Sequence, residues 1–121
     1  MSKRILVVED QEDNRQILRD LLGSAGYEMM EAWDGEAGVN AAKEQRPDLI
    51  LMDIQLPVMD GYEAARRIKS DPELKNIPVV VVTSYALSGD DSKARTAGCD
   101  AYVTKPYSPR QLLAKIREFL P

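Results

Sequence analysis

Ile5-Leu6-Val7-Val8-Glu9-Asp10 is a continuous apolar run, partly β-branched, that gives way at once to two acids. A strand exposed on one face alternates apolar with polar residues; a run without alternation is buried on both, as in a parallel sheet covered by helices. The same reading recurs down the chain. Leu49-Ile50-Leu51-Met52 and Val79-Val80-Val81-Val82 are buried strands, residues 27–32 a weaker one, and Ala101-Tyr102-Val103 a short fifth. Segments of helical period separate them. Ile17, Leu18, Leu21, Leu22 and Ala25 share one face ahead of Gly26, which stands where a C′ glycine belongs. Asp34 is expected to cap a second helix carrying Ala37, Ala41 and Ala42, and a third follows Asp60-Gly61 with Ala64, Ala65 and Ile68. A fourth carries Ala94 and Ala97 and stops at Gly98. The last opens on Ser108-Pro109-Arg110-Gln111, with an N-cap serine, proline at N1 and glutamine at N3, and continues in the stripe Leu112, Leu113, Ile116, Phe119 and Leu120. Five such alternations predict a three-layer α/β fold: a five-stranded parallel sheet with five helices on its two faces.

The remaining composition narrows the function. At 121 residues, 44% hydrophobic and 30% charged, the chain has the make-up of one globular domain, and a single domain over residues 1–121 is expected. The same segment would also serve as one part of a longer protein. A net charge of -4 speaks against nucleic acid as a direct partner. No run approaches the ~20 apolar residues that span a bilayer, and Met1-Ser2-Lys3-Arg4 leads straight into the first strand without a signal-peptide core. With Cys99 as the lone cysteine no internal disulfide can form, which fits a cytoplasmic setting. Cys99 itself reads as a small, half-buried residue. The chain contains no histidine. Serine-histidine and cysteine-histidine catalysis are thereby excluded, and the chemistry falls to carboxylates, hydroxyls, lysine or a hard cation.

The residues just past each strand are the informative ones. Glu9-Asp10 come after the first strand, Asp53 after the third, Thr83-Ser84 after the fourth and Thr104-Lys105-Pro106 after the fifth. The carboxyl ends of the strands of an open parallel sheet form its ligand-binding edge, so an acid pair, an acid, a hydroxyl and an ammonium are aimed at one place. Two like charges ~4 Å apart repel by about 4 kcal/mol near a protein surface, and a divalent cation relieves that repulsion. Mg²⁺ suits the set, since it takes one or two carboxylates with waters and substrate oxygens. Lys105 and the cation would neutralise a phosphoryl group in transit, and Thr83 could donate to it once attached. Singly, Asp10 is as easily an N-cap, Asp53 a solvated strand end, Thr83 a strand former and Lys105 a surface lysine. Coincidence does not place all of them after four of five strands.

With Tyr102, and with Asp53 set in Met52-Asp53-Ile54-Gln55-Leu56-Pro57-Val58-Met59-Asp60-Gly61, these residues resemble the CheY-like receiver domains of two-component signalling over essentially the whole chain. The resemblance implies the strand order 2-1-3-4-5. It implies that Asp53 is the phosphoacceptor, that Asp10 and Asp53 bind Mg²⁺ directly, that Glu9 does so through water, and that the backbone carbonyl of Gln55 completes the shell. It further implies a switch in which Thr83 moves toward the phosphoryl group and Tyr102 turns inward. The output face would then be the fourth helix, fifth strand and fifth helix, read by a downstream protein. The donor would be a histidine kinase or a histidine phosphotransfer protein. Gln11, Asn14, Arg15 and Leu18, at helical spacing beside the acid pair, are expected to form its docking face with Pro106 and Tyr107.

Three other readings are weaker. A Mg²⁺-dependent phosphohydrolase resembling the haloacid dehalogenases would need an acid two residues past its nucleophile, where this chain has Gln55. The expectation is therefore a phosphoacceptor that assists its own phosphorylation and dephosphorylation, and not an enzyme acting on a separate substrate. A nucleotide-binding module would need a glycine-rich phosphate loop, and neither GxGxxG nor GxxxxGK[ST] occurs. A purely structural relative would be expected to have lost Asp53 or Lys105. The acidic stretch at residues 9–13 lacks the glycine and terminal glutamate of a calcium loop.

Overall fold

Each predicted strand forms, and four of the five predicted helices lie among the described residues: β1 (Arg4–Val8), α1 (Glu12–Ser24), β2 (Glu28–Ala32), α2 (Gly35–Gln45), β3 (Leu49–Asp53), α3 (Gly61–Ser70), β4 (Val79–Thr83), β5 (Ala101–Thr104) and α4 (Pro109–Phe119). The structure, a computed structural model, describes residues 2–83 and 98–121, Thr83 by its backbone alone. The helix expected around Ala94 and Ala97, and the switch loop at residues 84–87, lie outside the described residues.

The sheet is parallel throughout and ordered β2-β1-β3-β4-β5. Alternation along its strands sorts the core into two layers. Leu6, Val8, Ile50, Met52, Val79 and Val81 pack against Val39, Ala42, Ala64, Ala65 and Ile68 of α2 and α3. Ile5, Val7, Leu49, Leu51, Val80 and Val103 face the other way, against Leu18 and Leu22 of α1 and Leu112, Ile116 and Leu120 at the far end of the chain. The apolar runs are continuous because both faces are covered. Each such side chain stabilises the fold by about 1.5–3 kcal/mol through burial.

The helix ends follow their local chemistry. Asp34 accepts from the Ala37 amide at 2.7 Å, and Asp60 accepts from that of Glu63 at 2.9 Å. Ser108 and Gln111 form the full capping box, at 3.1 and 2.9 Å. Gly26 adopts φ +88° just past α1, the left-handed conformation a C′ glycine supplies. Among the described residues no helix is long and apolar enough to cross a membrane.

Candidate functional site

Period-two alternation runs to the ends of the strands and beyond. Val7, Leu51 and Val103 point toward α1 and α4, and two residues beyond each stand Glu9, Asp53 and Lys105. All three therefore reach the same face of the sheet. They line one cleft of about 700 Å³ with Asn14, Ile17, Leu18 and Leu21 of α1 and with Pro106, Tyr107 and Pro109 before and at the start of α4.

Asp53 lies on the floor, its side chain 11% exposed, and both of its oxygens are engaged. Oδ1 accepts from the Gln55 amide at 3.0 Å, and Oδ2 from Lys105 Nζ at 3.0 Å. Lys105 Nζ also stands 3.7 Å from Glu9 Oε1. The peptide between Lys105 and Pro106 is cis. Carboxylate oxygens of Glu9, Asp10 and Asp53 lie within 4.8 Å of one another. Three acids so close, with one ammonium beside them, leave uncompensated negative charge. The carboxyl of Glu9 is accordingly pushed up to about 7 by burial, then by the charge of Asp53 and its hydrogen bonding with Asp10. Lys105 holds its proton more tightly than a free lysine: burial opposes this, but the hydrogen bond to Asp53 and the charges of Asp53 and Glu9 outweigh it. Burial raises the Tyr107 phenol, with Lys105 opposing and Glu9 and Asp53 adding. Hard oxygen donors in excess of local cations are the donor set that Mg²⁺ takes, so the residues present fit that ion.

The loop after β3 is held close by glycine. Gly61 donates to the Ile54 carbonyl at 2.9 Å, and a Cβ there would collide with the Asp53 carbonyl oxygen. The Gln55 side chain is exposed, two residues past Asp53. Thr83 ends β4, in register with Thr104 of β5. Tyr102 is 42% exposed on β5, outside the core in this conformation.

The expected docking face needs correction. Gln11 is exposed, and the Asn14 amide donates to Glu9 Oε1 at 3.0 Å. Arg15 and Leu18, however, are 4% and 6% exposed and offer little surface. Leu18 packs against the sheet as one wall of the cleft, and Arg15 turns toward β2, where acids and Trp33 receive its charge. The apolar surface of α1 is instead Ile17, 60% exposed at the cleft mouth and outside the core to which its spacing had assigned it. Neighbouring positions on an apolar stripe look alike in sequence; which of them packs inward depends on how the helix is seated on the sheet.

An acid trio and a lysine at the carboxyl edge of a parallel sheet ordered 2-1-3-4-5 define a receiver-type α/β protein. The chain belongs to the response regulator receiver domain family, whose model it matches over residues 5–117. It is 43% identical over 120 residues to the polar-differentiation response regulator DivK of Brucella anthropi, covering 99% of this chain and 98% of that protein. Among solved structures it is similar to the receiver domain of a sensor histidine kinase from Pseudomonas aeruginosa, which has a magnesium ion coordinated in its active-site cleft. That match is 35% identical with a TM-score of 0.92, over 99% of this chain and 98% of the other. The chemotaxis protein CheY4 of Vibrio cholerae superposes equally well, with a TM-score of 0.92 at 27% identity, covering 98% of this chain and 99% of that one.

Proposed function

We propose that this receiver accepts a phosphoryl group on Asp53 from a phosphohistidine of another protein, with Mg²⁺, and signals by changing a protein-binding surface. The observation that carries the reading is the ion pair between Lys105 Nζ and Asp53 Oδ2, 3.0 Å long, beside the trio of acids. These 121 residues include no histidine, so the phosphohistidine lies outside them, on a histidine kinase or a phosphotransfer protein.

In the transfer an Asp53 oxygen attacks phosphorus as the P–N bond of the donor breaks, and its electron pair returns to the imidazole. Asp53 is already oriented for this by the Gln55 amide and Lys105. Lys105 offsets the charge on the phosphoryl oxygens throughout. Glu9, Asp10, Asp53 and the Gln55 carbonyl are the groups that would hold Mg²⁺, which would supply further positive charge beside the phosphoryl group. The walls of the cleft keep the donor imidazole close and limit access of water. The product is an acyl phosphate on the protein itself, and no second substrate is turned over. The downstream partner reads the helix expected before Gly98, β5 and α4. Residues 1–121 act as one receiver unit in the cytoplasm, away from membranes and nucleic acid.

Intact mass after incubation with acetyl phosphate tests the assignment. One phosphoryl mass should appear with Mg²⁺, disappear with hydroxylamine, and be absent with chelator. Labelling of Asp53→Asn at the parental rate would remove Asp53 from the mechanism.

A further inference from the structure

Arg15 is a buried cation one helical turn past the acid pair, 4% exposed. A guanidinium withdrawn from water is tolerated only where its donors and its charge find partners. Nη1 donates to the main-chain carbonyl of Glu9 at 2.8 Å, and Nη2 to Glu12 Oε2. Nε stands 3.2 Å from Glu31 Oε1, an ion pair without hydrogen-bond geometry. Arg19 donates to both oxygens of Glu31 and fixes that carboxylate at the end of β2. The Trp33 ring covers the guanidinium at 5.1 Å from its centroid, while the residue stays 57% exposed. Glu9 is therefore clamped along its main chain: its N–H donates to Ala32 at 3.0 Å, and its carbonyl receives Arg15.

We infer that Arg15 is a positioning residue for the acid pair, with Trp33 as its cover on the solvent side. The Glu9 carbonyl belongs to the peptide joining Glu9 to Asp10, so fixing that oxygen sets the direction in which both carboxylates leave the chain. Neither Arg15 nor Trp33 enters the cleft. Their effect on cation binding runs entirely through the main chain of Glu9. A planar fork is needed for this, because a lysine ammonium cannot meet the carbonyl, two carboxylates and a ring face at once. The inference rests on Glu9 and Asp10 being the cation-binding pair of the function proposed above.

Mg²⁺ affinity of the unphosphorylated protein, measured by calorimetry, is the test. Arg15→Lys should bind about tenfold more weakly, or ~1.4 kcal/mol. Glu9→Gln should also weaken binding, and the two losses should fall short of additivity in the double variant, because one residue acts through the other. Trp33 is the only tryptophan, so its emission gives a second signal: it should shift on Mg²⁺ addition in the parent and much less in Arg15→Lys. If far-UV dichroism shows Arg15→Lys unfolded, Trp33→Ala decides the matter, with a loss of about threefold expected from uncovering the guanidinium. Parental affinity in folded Arg15→Lys, parental affinity in Trp33→Ala where that variant decides, or additive losses in the double variant, would overturn the role of Arg15 while leaving the cation site intact. A parent protein that binds no Mg²⁺ would instead overturn the cation site, and the positioning role with it.

Discussion

At the scale of single residues, Glu9 has the most to lose from the crowding of acids. Its carboxyl has an ordinary value of 4.5 and is held at about 7 in the fold, by burial first and the charge of Asp53 second. Between those values the folded protein carries a proton that the unfolded chain has released. Stability therefore falls as pH rises from about 4.5 to about 7, and levels off above. Without divalent cation, urea midpoints should drop between pH 5 and pH 8; Mg²⁺ at pH 8 should restore much of the loss, and Glu9→Gln should flatten the slope. An unchanged slope in Glu9→Gln would assign the effect to other groups. Residues of this kind are legible in the sequence, because strand period and residue type together fix where they point. Arg15 is not. A charged residue at helical spacing reads as solvated surface, and nothing local to it reveals that Glu31 and Trp33, on the next strand and the loop after it, complete its environment.

At the scale of elements, α1 divides its labour by face. Leu18 and Leu22 pack on the sheet, Arg15 and Arg19 turn to β2, and Ile17 stands exposed beside the cleft that Tyr107 also lines. An apolar side chain 60% exposed at the mouth of a site proposed to receive a donor protein is the natural anchor for a helix of that donor. Ile17→Ala and Tyr107→Ala should each slow phosphoryl transfer from the cognate donor about tenfold while leaving labelling by acetyl phosphate within about twofold. Ile17→Ala should leave stability within about 0.5 kcal/mol, as for most surface changes. Equal loss with both donors would point to damage at Asp53, not at a docking face. The strands, Gly26 and the helix caps Asp34 and Ser108 can be read directly, because turn chemistry and apolar runs are local. The split of α1 cannot, since it depends on how the helix is seated on the sheet and against β2.

At the scale of the whole molecule, the proposed signal must travel from Asp53 to β5 and α4. Tyr102 lies exposed on β5, in register with Val81, and the proposed switch would turn it inward. With beryllofluoride as a stand-in for the acyl phosphate, parent protein should gain about tenfold in target affinity, or ~1.4 kcal/mol. Thr83→Ala should still take phosphate on Asp53 from acetyl phosphate yet lose most of that gain. A full gain in Thr83→Ala would route the switch through another group.

The register of the sheet shows how Asp53 is held at its edge. On the β1 side the ladder of β3 stops at Val8 and Met52, one rung before Asp53; on the β4 side it continues through Asp53 and Val82, and Ile54 donates to Val82 at 3.2 Å. Main-chain groups of successive strand residues face opposite neighbours, so with Ile54 facing β4 the amide of Asp53 faces β1. Asp53 is set between two strands, like a plank between rails, and a load placed on its carboxylate in the proposed transfer would be shared by both.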